Sequence, residues 1–301
     1  MRSAWPKMPK MLVCAAPVIL LMLSAARPSL AACGADASEV DARCYNGDVQ
    51  AALRDALASD RPLLLPRGTY AINQPLVIDY AAQADTGFLI ISQGAIIDAT
   101  AIHSGPAVEI ICSGGSSAKP KGCFYFHQEG TLFVNANTPD WAVRFGLDDF
   151  SDAHNSAKID HLIVNNNNAA GSGGAVRLNY VLNSDMFIVA DAAGGGAGLA
   201  LEQVQFSRIS GAASATAGTG LSIENGYSFA NTVQAIDIEV AELCLAITAP
   251  KATHNTFVSP YFNCKQAVSS VNGNDNVLMN PMFGGAVAAA STQWMGITVS
   301  P

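Results

Sequence analysis

Apolar residues recur along this chain in three-residue groups whose outer positions are mostly aliphatic or aromatic and whose middle position varies. The groups lie at 108–110, 143–145, 176–178, 199–201, 221–223, 245–247 and 268–270. From residue 176 onward the steps between them are 23, 22, 24 and 23 residues. A near-constant period of this length predicts a solenoid.

Two earlier steps are longer, 35 residues from 108 to 143 and 33 residues from 143 to 176. We interpret them as the same coil carrying insertions of about ten residues each. Insertions in solenoids collect as loops on one face, which is often the binding face. The sequence therefore predicts that any chemistry lies where the period breaks.

Each later repeat also carries a second apolar run, and the runs lie at 159–164, 186–189, 233–238, 257–258 and 277–279. A small polar residue precedes most of them, at Asn155, Asn183, Ser207, Asn231, Asn255 and Asn276. Asparagine tolerates tight turns and can stack on the asparagine one coil away. Two or three short strands per repeat with no helix between them exclude a βαβ or helical repeat, so the pattern predicts an all-β parallel β-helix.

The amino-terminal part of the repeat region has the pattern of a cap. Val49, Ala52, Leu53, Ala56 and Leu57 have helical spacing, and Asp48 stands at the N-cap position. An extended apolar run at 63–65 follows, with a Pro-Arg-Gly turn at 66–68. We expect this helix to cover the first coil.

The first 32 residues are predicted to be a signal peptide. Arg2, Lys7 and Lys10 precede an apolar run at 11–26, and small residues follow. A retained amino-terminal membrane anchor is the alternative. The rest, 33–301, is predicted to be one domain, with a leader and cap at 33–72, coils at 73–285 and a carboxyl-terminal cap at 286–301.

The chain has 301 residues, 16 of them basic and 24 acidic. Removing the four basic residues of the predicted signal leaves a net charge of −12. Such a surface repels nucleic acid and anionic membranes, so neither is a predicted partner. No stretch after the signal is long and apolar enough to span a bilayer, and we expect a secreted, periplasmic or cell-surface protein.

Six cysteines remain after Cys14 of the predicted signal, and they fall into neighbouring pairs. The pairs are Cys33 with Cys44, Cys112 with Cys123, and Cys244 with Cys264. In an exported chain this pattern predicts three disulfides. As an alternative, the residues before Cys33 resemble a lipoprotein cleavage site, but lipidation would leave Cys44 without a partner. No metal site is predicted, since no pair is CxxC and no histidine lies beside one.

The middle positions of the repeated groups predict one outward row of side chains. Its early members are charged, namely Glu109, Arg144 and Arg177, and its later members are small, namely Ala200, Ser222, Ala246 and Ser269. Trp141 lies just before the Arg144 strand. We predict that Glu109, Trp141, Arg144 and Arg177 bind substrate.

The insertion at 147–161 is the most charged segment of the chain, and its predicted catalytic residues are Asp148, Asp149, Asp152, Lys158 and His161. Two carboxylates could hydrolyse a glycosidic bond. Alternatively, the arginines could neutralise a uronate while a lysine or histidine removes the α-proton. The structural alternatives are a surface ion-pair ladder, turn-capping aspartates and a structural histidine in the 159–164 strand.

Exposed aromatic side chains would favour sugar binding by stacking. The candidates are Trp141, Tyr180, Tyr227, Tyr261, Phe262 and Trp294. Tyr261 and Phe262 are adjacent in a predicted strand, so we expect one of the two to face outward.

The segment from Asp48 to Tyr70 resembles the opening of the pectate lyase superfamily, and the repeat extends the resemblance over most of 48–285. It implies a right-handed, single-stranded parallel β-helix that acts on carbohydrate. The Asn-Thr-Asp and Gly-His-Gly motifs of polygalacturonases are absent, and no set matches the calcium-binding carboxylates of pectate lyases. No cofactor is therefore predicted, and Ca²⁺ has no support. Tailspike-like relatives form homotrimers, which nothing in this chain supports independently.

Together these features predict an exported carbohydrate-active protein. It would bind a polysaccharide along the β-helix and could cleave it as a lyase or a glycoside hydrolase. The alternative is a non-catalytic extracellular or envelope β-helix that acts as a scaffold or adhesin.

Overall fold

The computed structural model describes residues 33–34, 37–284, 293–294 and 297–300. It contains one α-helix, α1 (Val49–Ser59), and short 3-10 helices at Ala42–Tyr45 and Ala81–Gln83. Its strands are β1 (Val40–Asp41), β2 (Leu63–Leu65), β3 (Thr69–Ala71), β4 (Leu76–Asp79), β5 (Phe88–Ala99), β6 (Val108–Ile111), β7 (Lys121–Phe124), β8 (Phe126–Ala136), β9 (Val143–Phe145), β10 (Asp152–Asn155), β11 (Lys158–Asn166), β12 (Val176–Asn179), β13 (Val181–Leu182), β14 (Asp185–Ala192), β15 (Ala197–Glu202), β16 (Arg208–Ile223), β17 (Thr232–Ile247), β18 (Thr256–Val258), β19 (Tyr261–Asn263), β20 (Gln266–Ser270), β21 (Asn276–Met279), β22 (Met282–Phe283), β23 (Gln293–Trp294) and β24 (Ile297–Ser300).

The repeated apolar groups form one parallel ladder, as the sequence predicted. We call it the front ladder: β4, β6, β9, β12, β15, the carboxyl-terminal halves of β16 and β17, β20 and β23. Arg144 pairs in register with Glu109 on one side and with Arg177 on the other. Because side chains alternate along a strand, the apolar outer positions of each group point into the core and the middle ones point out.

Two further ladders close each coil. The back ladder runs from β5 through β8, β11 and β14 into the amino-terminal halves of β16 and β17, and continues to β18, β19 and β21. The short ladder joins β7, β10 and β13. A continuous core of aliphatic and aromatic side chains lies between the ladders. The fold is therefore a parallel β-helix, as predicted.

The predicted cap helix is confirmed. Asp48 accepts a hydrogen bond from the amide of Ala51 at 2.9 Å, and this caps the amino terminus of α1. Val49, Ala52, Leu53 and Ala56 are buried. The helix thus covers the apolar end of the first coil with its own apolar face.

A buried row of polar side chains runs between coils, in part as the sequence indicated. The Asn255 side chain accepts from the Asn231 amide at 3.2 Å, and the Asn276 side chain accepts from the Asn255 amide at 3.0 Å. Ser207 belongs to the same row, but its neighbour one coil earlier is Ser184. Asn183 instead donates to the Asn155 side chain at 3.1 Å on the exposed side of the turn.

The three predicted disulfides are all present in the structure. They join Cys33 to Cys44, Cys112 to Cys123 and Cys244 to Cys264, with Cα–Cα distances of 5.6, 6.0 and 5.5 Å. The Cys33 sulfur is therefore engaged with Cys44 and not free to carry a lipid.

Several predictions fall outside the described residues. These are the signal peptide at 1–32 and much of the carboxyl-terminal cap at 286–301. Within the described part of the chain, no helix is long and apolar enough to cross a membrane.

Candidate functional site

The charged residues of the front ladder form one connected network. Arg144 donates to Glu109 and, at 2.6 Å, to Asp148. Arg177 donates to Asp148 at 3.1 Å and to Glu202 at 2.7 Å. Asp148 thus bridges the two guanidinium groups. We call Glu109, Arg144, Asp148, Arg177 and Glu202 the charged network.

Glu202 is the buried end of this network. Its residue is 1% exposed, at the last position of β15. Arg177 and Asn225 both donate to Oε1, while Oε2 has no hydrogen-bond partner among the described residues. Burial raises the pKa of Glu202 above its ordinary value, Arg177 opposes this only in part, and the charge of Glu224 adds to the rise. The network therefore contains a carboxyl group that keeps its proton to a higher pH than an ordinary glutamate does.

Glu224 lies at the position equivalent to Glu202 in the next coil. Leu201 pairs with Ile223, so the residues that follow them are neighbours, about 4.8 Å apart between strands. Glu224 is half-buried and accepts from the Ser222 hydroxyl at 2.9 Å. The front ladder therefore carries two adjacent carboxyl groups, one buried and one reachable from solvent.

An open groove of about 320 Å³ lies along the same strands. Its floor is made of small residues, and its lining includes Trp141, Thr219, Ser222, Glu224 and Ala246. Small outward residues leave this space, because larger side chains at Ser222 and Ala246 would fill it. The small outward residues of the later coils, which carry no charge, therefore form the groove.

Trp141 stands at one end of the groove. A Cβ at Gly174 would lie 2.1 Å from the Trp141 ring, so the ring rests against bare backbone of the next coil. The Arg177 guanidinium lies 5.7 Å from the ring centroid, a cation–π contact. The groove therefore joins an aromatic ring, hydroxyl groups and a carboxylate within one surface.

The predicted catalytic aspartates separate in the structure. Asp148 joins the charged network and its side chain is 56% exposed. Asp149 accepts from the Ser151 amide at 3.0 Å, and hydrogen bonding by the Ser151 side chain, together with this amide, lowers the pKa of Asp149 below its ordinary value. Asp149 therefore caps a turn, the structural alternative considered above, and contacts none of the network residues.

Asp152 lies in the core. It is fully buried at the start of β10, where it accepts from the amides of Leu147 at 2.7 Å and Cys112 at 3.0 Å. His154 contacts the same carboxylate at 3.1 Å and the Tyr80 hydroxyl at 2.7 Å. Asp152 lies on the short ladder, contacts neither Arg144 nor Arg177 and does not line the groove, so we do not place it in the candidate site. The insertion forms its own strand, and that strand turns Asp152 inward.

Lys158 and His161 lie on β11 of the back ladder, not on the front ladder. Lys158 pairs with Asp160 at 3.3 Å, and the His161 ring packs against Phe187 with centroids 4.7 Å apart. Both side chains are exposed. The structure therefore does not bring them together with Arg144 and Arg177.

The two arginines are not free for the role considered above, the neutralisation of a uronate. Both guanidinium groups are already bound by carboxylates, because Glu109, Asp148 and Glu202 pair with the two cations. Little positive charge is left to neutralise a uronate. No group of three or more His, Cys, Asp or Glu side chains in the described residues could hold a metal ion.

The sequence interpretation missed Glu202, Glu224, Ser222 as a groove residue, and the ring cluster around Phe206. Glu202 and Glu224 each lie two residues beyond the middle position of a repeated group, where alternation again points outward. That second outward row could have been read from the sequence. Of the candidate aromatics, Tyr227 is exposed, whereas Phe262 is buried beside a half-exposed Tyr261.

Comparison with known proteins finds no matching family model and no matching curated protein. The resemblance of 48–70 to the pectate lyase superfamily therefore stays a prediction. Among solved structures, tailspike protein 3 of bacteriophage CBA120 is similar with 14% identity and a TM-score of 0.30, over 87% of this chain and 59% of the tailspike. The catalytic domain of Agl-KA is similar with 11% identity and a TM-score of 0.24, over 84% of this chain and 64% of that domain.

This chain spans less than two thirds of either structure. Scores this low add nothing to the fold, which the strand pairing already establishes, and nothing to the function.

Proposed function

We propose that this chain is an exported protein that binds a neutral polysaccharide in the groove of the front ladder and hydrolyses it with Glu202 and Glu224. The observation that carries the proposal is the groove itself, in which Trp141, four serine and threonine side chains and Glu224 line one open surface beside the buried Glu202. Aromatic rings pack against the apolar faces of sugars, and hydroxyl and carboxylate groups bond their polar edges.

Hydrolysis is the reaction that the carboxyl pair supports. Glycoside hydrolases pair a protonated carboxyl group, which donates to the leaving oxygen, with an ionised one that acts as base or nucleophile. Burial favours the protonated form of Glu202. Its proton would sit on Oε2, since Arg177 and Asn225 both donate to Oε1. This oxygen is buried beside the groove, so the proposal requires that polymer binding opens a path to it. Glu224, at the groove surface, would be the ionised partner.

The polymer is proposed to be neutral because of the charge balance. Three carboxyl groups, those of Glu109, Asp148 and Glu202, bind Arg144 and Arg177, and the whole chain is acidic. A uronate would meet net repulsion and no free cation. The charge balance therefore favours hydrolysis over β-elimination.

The test is a binding and cleavage panel. We expect the secreted protein to be retarded in gels containing β-glucan, xylan, galactomannan or dextran, and not by polygalacturonate or alginate. Trp141→Ala removes the ring, and Gly174→Ala displaces it. Each should weaken binding about tenfold or more. Glu202→Gln and Glu224→Gln should retain binding but lower the release of reducing ends by about a hundredfold or more.

Glu129→Gln is the matched control, because this half-exposed glutamate lies on the back ladder. Its binding and cleavage should equal those of the wild type. Absence of retardation by every neutral polymer would refute the proposal, and unsaturated products from a polyuronate would point to the lyase reaction instead.

A second candidate function is a non-catalytic scaffold or adhesin. The observation that favours it is the full pairing of both arginines with carboxylates, which gives the charged network the form of a structural clamp between coils. Binding that is lost in Trp141→Ala, together with no cleavage of any polymer, would support this function.

A further inference from the structure

Three aromatic side chains form a cluster beside the groove, on the turns that follow Glu202 and Glu224. The Phe206 and Phe229 rings meet edge to face with centroids 4.6 Å apart, and the Tyr227 and Phe229 centroids are also 4.6 Å apart. Phe206 is 55% exposed and Tyr227 is 41% exposed. We call Phe206, Tyr227 and Phe229 the aromatic edge.

The backbone behind the aromatic edge is held firmly. The Val204 amide donates to the buried Ser228 hydroxyl at 3.1 Å, and the Asn255 side chain donates to the Ser228 carbonyl at 3.1 Å. A Cβ at Gly226 would lie 2.2 Å from the Gln203 side chain, so adjacent turns are closely packed. Rigid rings lose little conformational entropy when they bind a ligand.

Phe206 is a poor choice for stability at its position. Its φ is 52°, in the left-handed region where bulky residues are strained, and its ring is exposed. The corresponding corners of the other coils carry Tyr125, Ser156, Asn183, Ala230, His254 and Asp275, which also have positive φ. Apart from Tyr125, these residues are small or polar, so Phe206 is unusual at this corner, and it is joined there to two further rings.

We propose that the aromatic edge is a sugar-stacking subsite, which holds the part of a neutral polysaccharide that leaves the groove past Glu224. The inference rests on the proposed function and names a second contact region for the same polymer. Tyr227 is three residues beyond Glu224, which limits the distance between their Cα atoms to about 11 Å. A chain lying along the strand from Thr219 past Glu224 therefore reaches the rings.

The surroundings of the edge fit a sugar. Amide side chains of Gln203, Gln205 and Asn225 stand on the same turns, and Gln205 donates to the Tyr227 carbonyl at 3.3 Å. Amides between exposed rings offer donors and acceptors to sugar hydroxyls while the rings cover the apolar faces. A second copy of this acidic chain would bring like charges together, which disfavours it as the occupant.

The experiment compares ligand length in the full secreted chain. The probes are a disaccharide and a hexasaccharide, prepared from a neutral polymer that retards the wild type in gels. We expect Phe206→Asn and Tyr227→Ala to weaken hexasaccharide binding about tenfold each while disaccharide binding stays unchanged. Phe206→Asn should keep or raise the melting temperature, because asparagine tolerates this backbone conformation.

Tyr125→Asn is the matched control. Tyr125 is 57% exposed with φ of 59°, at the same corner three coils earlier, about 14 Å from Phe206 along the axis. It should leave both affinities unchanged. Unaltered hexasaccharide binding in Phe206→Asn and Tyr227→Ala would overturn the subsite and leave the proposed function intact.

Two other results would also overturn it. A wild type that no neutral polymer retards would remove the proposed function together with the subsite. A wild-type dimer in sedimentation that Phe206→Asn converts to monomer, with hexasaccharide affinity unchanged, would assign the edge to a second copy of the chain.

Discussion

Asp152 is a residue of the insertion that connects the front ladder to the core. In the core it contacts His154, which in turn contacts Tyr80. The Asp152 carboxylate accepts from the Leu147 amide, one residue before Asp148. It also accepts from the amide of Cys112, which is disulfide-bonded to Cys123. Asp152 thus fixes the loop that presents Asp148 to both arginines, and it acts through position and not through contact with a ligand.

We expect Asp152→Asn to lower the free energy of unfolding by about 3 kcal/mol near neutral pH, because the amide group would face backbone donors. Burial acts to raise the pKa of Asp152, but His154 and the two backbone amides together lower it below 3.8. A lowered folded-state pKa stabilises the protein above the unfolded-state value, and this contribution is lost as pH falls through the folded-state value. The difference in unfolding free energy between wild type and variant, measured in urea, should therefore become smaller below about pH 3.8.

Asp149→Asn is the comparison for this measurement. The pKa of the exposed Asp149 is also lowered, by hydrogen bonds from Ser151, so its gap should have the same sign and be much smaller. A gap for Asp152→Asn that stays constant down to pH values well below 3.8 would contradict the assignment of its charge to the core.

Glu202 should show the opposite pH dependence. Burial raises its folded-state pKa, so the folded state binds a proton more tightly than the unfolded state does. Stability conferred by wild-type Glu202 should increase as pH falls from above the folded-state pKa toward about 4.5, whereas Glu202→Gln has no proton to gain. As pH is lowered across this range, the melting temperature of the wild type should rise relative to that of Glu202→Gln. A fall relative to the variant would contradict a raised pKa.

At the scale of elements, the buried polar row joins successive coils through side chains as well as backbone. Asn255 accepts from the amide of Asn231 and donates to the Ser228 carbonyl and the Asn276 side chain. The row therefore satisfies turn amides that leave the regular ladders, a requirement for any buried backbone group.

We expect Asn255→Ala to lower the free energy of unfolding by about 2–3 kcal/mol, because several buried groups lose their partners at once. Asn183→Gly removes a comparable amide contact, to Asn155, at an exposed turn, and glycine tolerates the positive φ of this position. It should change stability by about 0.5 kcal/mol or less. Equal losses for the two variants, measured by chemical denaturation, would show that the buried row is not special.

The elements were predictable because period and alternation determine them. The groups around Val143, Val176 and Leu199 pair in the register that their spacing predicted. The polar row was predicted one residue out of register in its early coils, where Ser184 and not Asn183 is buried. A shift of one residue moves a side chain to the opposite face, and turn lengths that vary between coils conceal it.

For the whole molecule, the candidate site was only partly predictable. The outward row at Glu109, Arg144 and Arg177 followed from alternation, but which groups pair depends on side-chain reach across coils. The insertion was predicted to bring its carboxylates to the arginines, and only Asp148 does so. Burial of Asp152 depends on the short ladder, whose strands have no regular repeat that a sequence pattern could show.

Charge at the scale of the whole chain favours neutral ligands over polyanions. The formal net charge is −8, and the charged network contributes more carboxyl groups than cations. Repulsion between an acidic surface and a polyanion acts over about 30 Å at about 0.01 M salt and over about 3 Å at about 1 M salt. A neutral polymer held by ring contacts and hydrogen bonds has no such dependence.

We therefore expect the affinity for a retained neutral polymer to change less than about twofold as NaCl rises from about 0.01 to 1 M, since no ion pairs with the ligand are formed. Polygalacturonate should show no binding at low salt, and any weak retardation should appear only when salt screens the repulsion. Asp148→Asn, which removes one carboxylate from between the two arginines, should raise polygalacturonate retardation at low salt. Affinity electrophoresis at several salt concentrations measures all three outcomes. Polyanion binding by the wild type that is strongest at low salt would contradict the preference for neutral ligands.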